Sequence, residues 1–107
     1  MRTLLLFIFA TTLLFACKSS SKHLEKGDYD AAMETSAKKI KKDPSKFEEV
    51  DVFNDAYRMA YLKDNTEVQR LKKAGDPANW SKIYTIYVRM NRRQELAQTL
   101  PPVGINY

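Results

Sequence analysis

The sequence predicts an all-α domain built from short antiparallel helical hairpins. Three observations carry that prediction. From His23 onward Ala, Lys, Glu, Met, Leu and Arg dominate; the chain has only three glycines; and no run alternates apolar and polar residues with period two.

The N-terminus is of a different kind. Met1-Arg2 is a positive start, Leu4 to Leu14 is apolar apart from Thr11 and Thr12, and the small Ala16 precedes Cys17. The apolar stretch is shorter than the roughly 20 residues a membrane-spanning helix needs. The polar run Lys18-Ser19-Ser20-Ser21-Lys22 follows it.

Leu14-Phe15-Ala16-Cys17 resembles the lipobox of a bacterial lipoprotein signal peptide, with Phe15 bulkier than the residue usual at that place. The resemblance implies that residues 1–16 are removed and that Cys17 is acylated, with palmitate-type chains. Residues 17–22 would then be the acylated cysteine and a flexible tether, and residues 23–107 the helical domain. Two or more chains give stable anchoring where one gives only marginal binding. Lys18 stands where enterobacterial lipoproteins held in the inner membrane carry Asp, so the implied address is the outer membrane. The missing acidic cluster after Cys17 points to its periplasmic face. An ordinary secretory signal or an uncleaved anchor would leave Cys17 incidental, but a disulfide scaffold would show an even set of cysteines and this chain has one.

The first helical unit centres on Leu24 to Ala32 and ends at Lys42-Asp43-Pro44. Gly27 and Asp28 supply a turn and an N-cap, Ala32 permits close packing, and Pro44 stops the helix. Gly27, Asp28, Tyr29, Ala32, Asp43 and Pro44 stand at the spacing of the second half of a tetratricopeptide repeat, which this segment resembles. Ser36 and Lys39 depart from that pattern, and residues 18–26 leave room only for a stub of the preceding helix.

A second helix is expected from Ser45 to Leu62, with Phe47, Val50, Phe53, Ala56, Tyr57, Ala60 and Tyr61 at helical spacing and a capping box of Ser45 with Glu48. Lys63-Asp64-Asn65 reads as a break. A short helix, Thr66 to Ala74, then closes at Gly75, and Asp76-Pro77 opens the last helix, which runs to Leu100. Its apolar face carries Trp80, Ile83, Tyr84, Tyr87, Met90, Leu96 and Leu100, with Arg89, Arg92 and Arg93 largely on the other side. Pro101-Pro102 ends it, and Val103 to Tyr107 is expected to trail without a partner element. The result reads as an incomplete repeat array, either continuing beyond Tyr107 or docking its last face on another chain.

Charge and chemistry exclude several functions. Eighteen basic residues face thirteen acidic ones, for a net charge of +5, and losing Arg2 with the signal leaves about +4. The charges are interspersed, which suits a solvated helical surface and no nucleic-acid partner. The chain from Cys17 is enough for one small domain, burying roughly 60 to 65% of its unfolded surface. His23 is the sole histidine and lies beside the tether, so a histidine-based triad or a zinc site lacks partners. There is no nucleophile elbow, P-loop or dinucleotide fingerprint. Glu48, Glu49, Asp51 and Asp55 read as acids favoured at a helix start, and Asn79-Trp80-Ser81 as first-turn residues. No catalytic residue, metal or cofactor is expected.

One stripe remains: Tyr57, Tyr61, Trp80, Tyr84 and Tyr87. Core packing between neighbouring helices is its expected role. The functional alternative is a groove for a peptide or glycan. The function expected is that of a non-catalytic outer-membrane lipoprotein, an envelope scaffold binding a protein partner or a further copy of itself. The alternative is a ligand-binding lipoprotein serving a nutrient importer.

Overall fold

The computed structural model describes residues 19–106. Residues 1–18, with Cys17 and the segment expected to be a signal peptide, lie outside the described residues. The chain forms α1 (Ser20–Glu25), α2 (Tyr29–Lys42), α3 (Phe47–Ala74) and α4 (Asn79–Gln98), with no strand among the described residues, so the fold is all-α.

Helix α1 begins inside the segment expected as tether. Ser20 is buried and donates its hydroxyl to Glu49 of α3, Lys39 of α2 pairs with the same carboxylate at 3.4 Å, and Leu24 packs on the core. The turn into α2 follows the sequence reading. Gly27 takes φ +78°, open to glycine without strain, and the Asp28 carboxylate caps α2 by accepting from the Ala31 N–H at 3.2 Å. Helix α2 ends at Lys42, before Pro44.

Helix α3 departs from the reading twice. Ser45 does not cap it. Its hydroxyl and N–H donate to the Asp43 carboxylate at 2.5 and 3.1 Å, holding that carboxyl below the usual range, and the capping position falls to Lys46 without a side-chain bond. Nor does the helix break at residues 63–65. It runs unbroken for 28 residues, about 42 Å at 1.5 Å per residue. Asp64, in the middle of the expected break, is instead buried and paired with arginines of α4. Gly75, with φ +68°, ends α3 as expected, its N–H bonding the Lys72 carbonyl.

The α3–α4 turn is fixed by side chains. Asp76 accepts from the Ala78 N–H at 2.9 Å, and Asn79 donates to the Leu71 carbonyl at 3.2 Å, tying the start of α4 to the last turn of α3. Helix α4 ends at Gln98, ahead of Pro101.

The core comes in two apolar parts. The larger joins Met33, Ala37 and Ile40 of α2 to Val50, Phe53 and Ala56 of α3 and to Ala97 and Leu100 after the α4 midpoint. The smaller, Val68 and Leu71 against Ile83 and Ile86, belongs to the α3–α4 hairpin alone. Between them in sequence sits a charged layer of Asp64 and Arg93, both buried.

The terminal segment is not without partners. Val103 and Ile105 pack on the larger core, and Asn54 of α3 bonds the backbone on either side of Ile105. That contact removes the expected trailing end.

Candidate functional site

Arg89 and Arg93 of α4 hold the fold's centre, against the expectation that they face outward, while Arg92 is exposed as expected. Arg93 donates through Nε to Asp30 of α2 at 2.7 Å and through Nη1 to Asp64 of α3. Arg89 takes the remaining face of Asp64 in a two-point contact, 3.1 Å from Nε and 2.7 Å from Nη2. The two-point geometry is the strong form of this pairing. Burial opposes ionisation of Asp64, yet the hydrogen bonds from Arg89 and Arg93 outweigh it and hold its carboxyl below the ordinary range. Two cations and two anions thus cancel, and three helices are joined through them.

Arg93 also borders a groove of about 650 Å³ between α3 and α4. Tyr57, Tyr61 and Asn54 come from α3, spaced i, i+3 and i+7 from Asn54 so that they share one stripe of the helix. Tyr87, Asn91 and Gln94 form the matching stripe of α4, with Met90 beside them, and Asn106 of the terminal segment is the last wall. The ring of Tyr57 meets Phe53 edge-on at 6.1 Å, so α3's wall rests on the core. Lys72 places its ammonium 5.7 Å from the Tyr87 ring centre. At the edge, Arg58 lies 3.8 Å from Asp55. A second, polar hollow of about 320 Å³ shares Arg93 and includes Asp28, Asp30 and Lys63.

The structure brings three of the five aromatics of the stripe together. Tyr57, Tyr61 and Tyr87 line the groove, whereas Trp80 and Tyr84 continue the Tyr87 stripe along α4 toward the hairpin tip, outside it. The expected core role fails for Trp80 and Tyr84, which are 63% and 70% exposed, and Tyr61 and Tyr87 are exposed as well. Their side of α4 is turned away from Ile83, Ile86 and Ala97, which fill the buried face. Leu62 of α3 and Val88 of α4 are exposed apolar residues as well.

Sequence reading passed over the carboxamides Asn54, Asn91 and Gln94. Helical spacing from Tyr57 and Tyr87 would have found them. Asn106 could not have been found, because it reaches the groove only through the return of the terminal segment. Among the described residues no group of three His, Cys, Asp or Glu side chains is placed to hold a metal ion, and no buried side-chain nitrogen or oxygen lacks a partner. No helix among the described residues is long and apolar enough to cross a membrane.

Compared with known proteins, the chain matches no protein family, no curated sequence and no solved structure.

Proposed function

We propose that this chain is a non-catalytic interaction module of the bacterial outer membrane, lipid-anchored through Cys17 on the periplasmic face, that engages an envelope protein with the α3–α4 groove and the aromatic stripe beside it. The observation that supports this reading is the exposure of Trp80, Tyr84 and Tyr87 along one stripe of α4, with the exposed Tyr61 of α3 facing Tyr87 across the groove. Aromatic residues exposed in such a contiguous patch mark interaction sites more often than inert surface. Anchoring would raise the module's effective concentration for partners at the same membrane.

The carboxamides lining the groove favour a second reading, in which the ligand is a glycan or peptide delivered to an importer. Amides offer paired donors and acceptors suited to hydroxyls or peptide groups. Titrating an oligosaccharide while following the side-chain amide resonances of Asn91 and Gln94 separates the two. Saturable shifts support the second reading, and unmoved resonances in a protein that still forms a membrane complex support the first.

The test of the first reading uses native gels of detergent-solubilised outer membranes. The paired substitution Tyr61→Ser and Tyr87→Ser should abolish a higher-mass complex containing the protein while leaving its melting temperature unchanged. A complex that persists, or a protein that runs only alone in the unsubstituted form, contradicts the reading.

A further inference from the structure

Helix α1 ties the start of the described chain to one end of the molecule. Ser20 is 1% exposed and its hydroxyl donates to Glu49 near the start of α3, while Lys39 in the last turn of α2 reaches the same carboxylate at 3.4 Å. Cys17 is three residues before Ser20, so it lies within about 10 Å of Ser20 along any path the backbone takes. A lipid anchor at Cys17 therefore leaves the domain little slack. It brings the bilayer to the end of the molecule where α1 begins, α2 ends and α3 begins.

That end is apolar at one point and basic beside it. Phe47, the first residue of α3, is 72% exposed and belongs to neither core cluster. It closes the exposed turn of Pro44, Ser45 and Lys46. One exposed Phe on a surface needs no explanation by itself. This one, however, follows a run of lysines. Lys38 and Lys42 share a stripe of α2, Lys41 is exposed with them, and none of the three forms an ion pair among the described residues. Of the acids nearby, Asp43 is taken up by Ser45 and Glu49 by Ser20 and Lys39, which leaves Glu48 and Asp51. Residues 18–22 and 38–51 together hold seven lysines and four acids, a net of +3; elsewhere from Cys17 onward ten basic residues face nine acidic ones, a net of +1. The positive charge is gathered at the end that the anchor would bring to the bilayer.

We propose that the α2–α3 turn, with Phe47 at its close and Lys38, Lys41, Lys42 and Lys46 before it, is a docking surface for a membrane of anionic phospholipid, standing the domain on the bilayer beside the acylated Cys17. The proposal rests on the lipid-anchor part of the reading above and adds which face the domain turns to the membrane. Lysines near an anionic surface are drawn to its headgroups, and an aromatic ring among them settles at the boundary of headgroup and acyl chain. The acyl chains hold the protein and the patch orients it. Leu71 lies 22 residues beyond Glu49 on α3, about 33 Å of helix rise, and Asn79 is bonded to its carbonyl. Trp80 is thereby held far along the molecule from the docking surface, and the α3–α4 tip, with no net charge to draw it down, is left free for a protein partner.

The experiment places the full lipidated protein in vesicles of phosphatidylethanolamine with about a quarter phosphatidylglycerol, some chains brominated near the glycerol so that they quench nearby indoles. Trp80 of the unsubstituted protein reports the hairpin tip, and the paired substitution Phe47→Trp with Trp80→Phe reports the turn; both positions are exposed, so the fold tolerates the exchange. Emission from position 47 should be quenched at least about threefold more than emission from Trp80. Exchanging phosphatidylglycerol for phosphatidylcholine should lower quenching at position 47 about threefold while the protein still floats with the vesicles. Lys38→Glu with Lys42→Glu should do the same, its melting curve recorded beside it, and the lipid exchange keeps the charge test valid if that variant fails to fold. Equal quenching at the two positions, stronger quenching of Trp80, or quenching at position 47 that ignores lipid charge overturns the proposal. In each of those cases flotation with the vesicles would leave the lipid anchor standing. A protein that does not float removes the anchor and this docking surface together.

Discussion

Asp64 on α3 and Arg93 on α4 meet, both buried, in an ion pair that Asp30 and Arg89 complete on either side. This pairing explains why α3 runs straight through a polar triplet, and it fixes the face α4 turns to the interior. Tyr87, Tyr84 and Trp80 are consequently carried to the outside.

Removing one partner of a buried pair leaves the other charge stranded. Asp64→Ala should destabilise the domain by about 3 kcal/mol, read by chemical denaturation. The apolar pair Asp64→Leu with Arg93→Met should recover most of that loss, because the two buried charges are removed together and the Arg89 and Asp30 left behind are half-exposed and stay hydrated.

Acid should have the same target. The Asp64 carboxyl is held below its unfolded value, so its contribution to stability is complete above about pH 5 and is lost as pH falls through the folded-state pKa. Denaturation midpoints should therefore fall on acidification below about pH 4. Asp64→Asn should show a smaller fall over the same range. Equal slopes for the two proteins would remove Asp64 from the explanation.

Asn54 should protect the backbone it binds. In Asn54→Ala the Asn106 amide hydrogen, which donates to Oδ1, should exchange at least about fivefold faster by hydrogen–deuterium exchange, as expected for loss of one net hydrogen bond. Helical amides in α2 should keep their protection.

Membrane attachment should depend on one atom. Cys17→Ala should move the protein from the integral membrane fraction to the soluble fraction, since acyl chains, not a spanning helix, are the proposed anchor. A variant that resists extraction with carbonate would refute the lipid assignment.

Much of this architecture was legible in the sequence for local reasons. The turn at Gly27-Asp28, the stop at Pro44 and the left-handed Gly75 each depend on the residues themselves and their nearest neighbours. What misled was burial assigned by hydrophobicity alone. Asp64 and Arg93 lie inside because each satisfies the other across two helices, while Trp80 and Tyr84 lie outside because small residues and isoleucines already fill the interior face of α4. Neither fact is encoded within one helix. Half of the groove could have been drawn from spacing, since Asn54, Tyr57 and Tyr61 on one helix and Tyr87, Asn91 and Gln94 on the other form stripes. The return of residues 103–106 to Asn54 is a contact across about 50 residues, and no local pattern announces it.

The most direct test of the central claim, that the aromatic side of the α3–α4 hairpin is a partner-binding surface, is photo-cross-linking in intact envelopes. A benzophenone amino acid would replace Tyr84 on the exposed stripe and, as a control, Lys38 on α2. A discrete adduct from position 84, absent from position 38 and lost when Tyr61→Ser and Tyr87→Ser are added, is the predicted result. No adduct from position 84, or the same adducts from both positions, would contradict the account.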